Sequence, residues 1–218
     1  LEALAADGTI IPRLVIEKDG IKVGLIGILG NDAIEKAGQA DPIAITDPIA
    51  TAREQALALR SEGVDLVVVL SHSGIRKQAD GLWGEGDIDL LREVPEIDVI
   101  VGGHSHTVLK EPLKVDGRLC LQAGSDTKYL GELTLFRDGE RWAMDSYTLH
   151  PIDDSIGGDP LITAFVGELQ EEVTHRVLEP AGYDFEQVLA ESPRTLTRAI
   201  DDHVLGNLVT DALRVAAS

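Results

Sequence analysis

The sequence predicts an α/β fold built on a parallel sheet, with a separate region after it, and three observations carry that prediction. Two short β-branched apolar runs, residues 65–70 and 97–101, have the length and composition of strands in a parallel sheet. Segments with helical spacing lie before and between them, which is the alternation of an α/β layer. The composition then changes at Gly157-Gly158-Asp159-Pro160, where a loop and a new helix begin.

Taken in order, residues 13–17 and 21–29 cluster β-branched side chains on either side of Lys18-Asp19-Gly20, which predicts a hairpin of two strands. Asp47-Pro48 supplies an N-cap and a proline at the first helical position. Ala52, Ala56 and Leu59 follow at helical spacing, and Gly63 closes the helix. The run Asp65-Leu66-Val67-Val68-Val69-Leu70 is continuously apolar after its first residue and predicts a strand buried on both faces. A short helix over 87–94 stops before Pro95, and Ile97-Asp98-Val99-Ile100-Val101 predicts another buried strand. Strands are expected at 119–122, 130–137 and 142–149, with Asp138-Gly139 as the turn between the last two. Leu161, Phe165, Leu169 and Val173 stripe a helix running to about Leu178. Leu205, Leu208, Val209, Ala212 and Leu213 stripe another that begins near Asp202. The expected domains are 1–156 and 157–218.

Composition narrows the function. The 218 residues carry 19 basic and 38 acidic side chains, a net charge of −19, which repels polyphosphate backbones and excludes a generic nucleic-acid binder. An apolar fraction of 44% is enough for a core, so the charge does not imply disorder. The single cysteine, Cys120, lies in a strand-like run and reads as a small buried hydrophobe. No apolar run approaches the roughly 20 residues that cross a bilayer, and no signal segment opens the chain. The first residue is Leu1, and the last residues break off inside an amphipathic run, so both ends are expected to be cuts in something longer.

The chemistry concentrates in histidines. His72 follows one buried strand run, and His104 and His106 follow the other after Gly102-Gly103. Ligands of open α/β sheets gather outside the carboxyl ends of the strands, so two neighbouring strands would deliver all three imidazoles to one place. In an extended segment His104 and His106 face the same side while Ser105 points away. Neutral imidazole is a common ligand of zinc, iron, nickel, copper and, with carboxylates, manganese. Three nitrogens cannot complete a two-metal site, which needs further ligands including a bridging carboxylate. His150 and His175 have no such company and read as ordinary surface or interface residues. Gly24, Gly27 and Gly30 do not have dinucleotide-fingerprint spacing. The pairs Asp153-Asp154 and Glu171-Glu172 read as solvated faces.

Ser71-His72-Ser73-Gly74, then residues 97–107 with Gly102-Gly103-His104-Ser105-His106, then Gln122-Ala123-Gly124-Ser125 through Gly131, resemble the 5'-nucleotidase family of metallophosphoesterases. Order, spacing and strand context agree over about residues 11–149. The resemblance implies an incomplete calcineurin-like α/β sandwich, a linker helix and the start of a second α/β domain. It also implies two divalent metal ions, zinc, manganese or similar, with His72 and His104 on one and His106 on the other.

The family's Asp-x-His, Gly-Asp and Gly-Asn-His elements, which carry the remaining ligands and the catalytic histidine, do not occur upstream of His72. The catalytic residue is therefore expected in an absent N-terminal half, itself a required partner. Asp201-Asp202-His203 and Gly206-Asn207 copy parts of those spellings but read as a helix start. Leu205-Gly206-Asn207-Leu208-Val209 with Asp211-Ala212 resembles the opening helix of the family's substrate domain. The position of that domain's phosphate-facing arginine is Asp201 here, with Arg198 three residues earlier.

The function the resemblance implies is two-metal hydrolysis of a small-molecule phosphate ester, a nucleotide or nucleotide-like compound. Its relatives are periplasmic, cell-surface or secreted. Two alternatives stand beside it: a thiosulfohydrolase of sulfur oxidation, which shares the scaffold, and a non-catalytic fragment or binding scaffold. The 218 residues alone are expected to be inactive.

Overall fold

A computed structural model describes residues 8, 10–36, 45–193, 195–196 and 204–217. Asp19 and Gly20 both take positive φ, 53° and 79°, the geometry that joins two twisted strands through a two-residue turn. That hairpin pairs β1 (Arg13–Lys18) with β2 (Ile21–Leu29), and α1 (Asn31–Lys36) follows. Asp47 caps α2 (Pro48–Ser61) by accepting from the Ala50 N–H at 2.7 Å, and Gly63, at φ 75°, turns the chain out of the helix. Then come β3 (Leu66–His72), the two-residue strands β4 (Arg76–Lys77) and β5 (Trp83–Gly84), α3 (Asp87–Glu93) and β6 (Val99–Gly102). β7 (Leu113–Val115), β8 (Arg118–Leu121), β9 (Tyr129–Asp138) and β10 (Arg141–Pro151) complete the first of two compact units, Leu1–Ile156 and Gly157–Ser218.

Six strands form one sheet in the order β1-β2-β3-β6-β8-β7. β2, β3, β6 and β8 run parallel, and β1 and β7 are antiparallel edges, so the predicted α/β class is the observed one. On one face Ala52, Ala56 and Leu59 of α2 and Ile88 and Leu91 of α3 close over Ile26, Val67, Val69, Ile100 and Cys120. Gly24 is required for that closure, because a Cβ there would stand 2.7 Å from Leu59 Cδ1. On the other face the β9–β10 hairpin lays Leu133, Leu135, Met144 and Tyr147 against Val99, Leu119 and Leu121.

One expectation fails here. The apolar run of β3 predicts burial on both faces, yet Val67 and Val69 are fully buried while Leu70 is 50% exposed. The helices cover the first face along its length, whereas the hairpin reaches only part of the second. The elements α1, β4, β5 and β7 were not foreseen, being too short to impose a period on the sequence.

In the second unit Asp159 caps α4 (Pro160–Val173) through the N–H groups of Leu161 and Ile162 at 2.8 and 3.2 Å. The predicted helix to Leu178 is α-helical only to Val173, and a wider π-type turn, Thr174–Leu178, continues it. Within its own unit the stripe of α4 is uncovered among the described residues, with Leu161 and Phe165 both exposed. α5 (Val204–Ala216) ends the chain. The expected helix start near Asp202, and Arg198, Asp201 and His203, lie outside the described residues.

Candidate functional site

His72 is the last residue of β3, opposite Leu29 of β2. β6 pairs in parallel with β3 through Ser71 and Gly102, so the two strands end side by side and the loop after β6 meets His72. His104 Nδ1 stands 3.2 Å from His72 Nε2, with ring centroids 4.9 Å apart and planes at 70°. Gly103 makes the approach feasible, since a Cβ there would lie 3.3 Å from His72 Nδ1.

The route by which His104 and His106 were expected to share a side is overturned. The segment is not extended: His104 has φ 68° and His106 φ 55°, both left-handed. Alternation of side chains therefore does not govern where they point. A non-glycine residue held in that region costs about 1–3 kcal/mol and persists only where its surroundings over-determine it. The Ser105 hydroxyl instead accepts from the Ile75 N–H at 3.2 Å.

The structure brings His72 and His104 together. His106 is exposed beside Asp126, whose carboxyl is held below the usual carboxylate range by the Ser125 hydroxyl first, then Lys128, then His106. Among the described residues no group of three or more His, Cys, Asp or Glu side chains is assembled around one point for a metal ion. The His72–His104 pair nevertheless fits a shared ion in its donor chemistry. Two imidazole nitrogens on one tetrahedral ion at about 2.0–2.1 Å stand about 3.3 Å apart, close to the 3.2 Å observed.

Two buried polar side chains had no role in the sequence reading. Gln122, 1% exposed, lies beneath the 103–107 loop. Asp87 opens α3, is fully buried, and makes no hydrogen bond through either carboxylate oxygen among the described residues. The nearby Ser71 hydroxyl donates instead to Ser73 Oγ at 2.9 Å. Burial pushes the Asp87 carboxyl up to about 6, against smaller downward pulls from Ser71 and His104. Sequence could not mark Asp87, because an acid at a helix start is ordinarily a solvated cap. A Cβ on Gly102 would overlap its carboxylate, so the glycine before the histidine loop makes room for it.

Beside the pair lies a cavity of about 430 Å³ whose wall includes Ser73, Gly74, Arg76, Glu85, His104 and Ser105. Arg76 and Glu85 form an ion pair at 3.5 Å on that wall. Asp89 lies on the same wall, so its one guanidinium stands with two carboxylates.

Residues 5–108 match a family model described as calcineurin-like phosphoesterase. An apyrase of Tabanus yao is 28% identical over 91% of this chain and 37% of its own length. A 5'-nucleotidase of Diplobatis ommata is 26% identical over 93% of this chain and 36% of its own. The crystal structure of a 5'-nucleotidase precursor from Thermus thermophilus superposes with a TM-score of 0.67 at 26% identity, covering 95% of this chain and 43% of that one. The chain thus spans less than half the length of each relative.

Proposed function

We propose, from the match of residues 5–108 to the calcineurin-like phosphoesterase family, that the complete protein is a metal-dependent phosphohydrolase of nucleotides or nucleotide-like esters. The observation that carries the reading is the His72–His104 pair, 3.2 Å apart at the ends of adjacent parallel strands.

In this reading His72 and His104 hold one divalent ion and His106 a second, with zinc or manganese the expected metals. Ions held there supply Lewis-acid polarisation of the phosphate ester and activation of the water that attacks it. The chain's own residues do the rest of the local work. His72 and His104 offer ring nitrogens 3.2 Å apart, Gly103 lets the two rings approach, and the buried Asp87 carboxyl lies against Gly102 just before the histidine loop. Arg76 and His104 line the adjoining cavity. In this reading the remaining ligands and the group that assists the leaving oxygen would be supplied by the rest of the complete protein, and α5 would open its substrate domain. A periplasmic, cell-surface or secreted location goes with this reading.

The test is elemental analysis by plasma mass spectrometry of the complete protein and of its His72→Ala, His104→Ala and His106→Ala variants, followed by release of phosphate from a panel of nucleoside monophosphates. Stoichiometric zinc or manganese, lost together with at least about 100-fold of the turnover in the variants, is the expected result. Metal content and turnover unchanged in all three variants would sink the reading. Turnover of S-sulfonated compounds but not of phosphate esters would transfer the same centre to sulfur chemistry.

A further inference from the structure

Left-handed backbone at two histidines of one five-residue loop needs something to hold it, and a single buried side chain spans that loop. Gln122 follows β8, the strand paired in parallel with β6, and is 1% exposed. Its amide oxygen accepts from the Thr107 N–H and from the Ser105 hydroxyl, the latter at 2.8 Å. Its amide nitrogen donates to the Gly103 carbonyl at 2.7 Å. Because a backbone donor sits at one end and a backbone acceptor at the other, the amide's orientation is set by its partners rather than chosen.

The same side chain thus grips the loop before His104, between the two histidines, and after His106. Main-chain bonds anchor the clamp: Leu109 N–H donates to the Gln122 carbonyl and Gly124 N–H to the Thr107 carbonyl, both at 3.0 Å. Ser105 extends the clamp to the other strand, since its hydroxyl also accepts from Ile75 N–H, three residues past His72. A glutamine buried here for packing alone would need no such match. An apolar side chain of equal volume would fill the space and leave the loop's carbonyl and N–H groups to find other partners.

We propose that Gln122 is the positioning residue of the histidine loop: its buried amide holds His104 and His106 in their left-handed conformations and so sets where their imidazoles meet the metal ions. This rests on the reading that those histidines are metal ligands, and the closing experiment separates the two.

The experiment is a titration of the complete, metal-stripped protein with Co²⁺ alone, read by its visible absorption, for wild type, Gln122→Met, Gln122→Glu and His104→Ala. Thermal unfolding without metal is measured in parallel. Met keeps the volume and removes all three side-chain bonds. Glu keeps the two accepted bonds and sets a carboxylate oxygen against the Gly103 carbonyl, so it provides a folded comparison if Met does not fold. The expected result is cobalt affinity weakened about 10- to 100-fold in Gln122→Met, less in Gln122→Glu, with a changed absorption band in both. Wild-type affinity and spectrum in both Gln122 variants, while His104→Ala has lost its cobalt, would overturn the proposal and leave the metal reading standing. Wild-type cobalt binding in His104→Ala would overturn the metal reading and the proposal with it.

Discussion

Asp87 sits in an environment that its sequence neighbours do not imply, and pH reads that departure. In the unfolded chain its carboxyl has its ordinary value of 3.8, and in the folded chain burial holds it near 6. Below about pH 4 it is protonated in both states and costs nothing. As pH rises from about 4 to 6 the unfolded chain gives up the proton while the folded chain keeps it, so this group's contribution to stability falls, by something on the order of 3 kcal/mol above pH 6. Asp87→Asn removes that loss. Urea unfolding with a chelator present should show the variant's stability relative to wild type rising between pH 4 and 6 and then levelling, and a difference flat across that window would refute the burial argument. Other single residues were readable from composition alone. Cys120 is fully buried, and burial pushes its thiol up, as a core hydrophobe requires. His150 and His175 are exposed and engage Glu132 and Glu179 at 2.7 and 2.9 Å, which also raises His175.

Elements follow their local signals wherever those signals are complete. α2 has an N-cap, a first-turn proline, a buried stripe and a terminal glycine, and it spans Pro48–Ser61 much as its sequence requires. Asp47→Ala should therefore cost about 1 kcal/mol through the lost cap. Leu59→Ala should cost about 2–5 kcal/mol, because Leu59 is fully buried against β2. Chemical denaturation of both variants checks the pair, and equal losses would mean that the helix is not held by its packing face. The short elements α1, β4, β5 and β7 carry no such redundancy, since two to six residues cannot establish a period. The histidine loop was misread for a related reason. Strand alternation predicts one side for both histidines, but the ladder ends at Gly102, and beyond it φ is set by Gln122 and Ser105 rather than by a neighbouring strand.

At the scale of the whole molecule, a net charge of −19 repels itself in the compact state. Raising ionic strength from about 20 to 300 mM shortens the Debye length from roughly 20 Å to under 10 Å. The melting temperature should accordingly rise, as scanning calorimetry at several NaCl concentrations would show. A falling melting temperature would mean that the surface ion pairs, such as Arg13–Glu62 at 2.5 Å, outweigh the long-range repulsion. No described helix is long and apolar enough to cross a membrane. The sequence by itself determined the α/β class, most strand and helix positions, the burial of Cys120 and the histidines worth watching, because caps, turns and periodicity act over a few neighbouring residues. Only the tertiary structure decided that His72 and His104 meet at 3.2 Å, that Leu70 is half exposed, that the histidine loop is left-handed, and that Asp87 and Gln122 lie beneath it. Those outcomes depend on the parallel register of β3, β6 and β8, which joins residues more than 15 positions apart and leaves no local pattern in the chain.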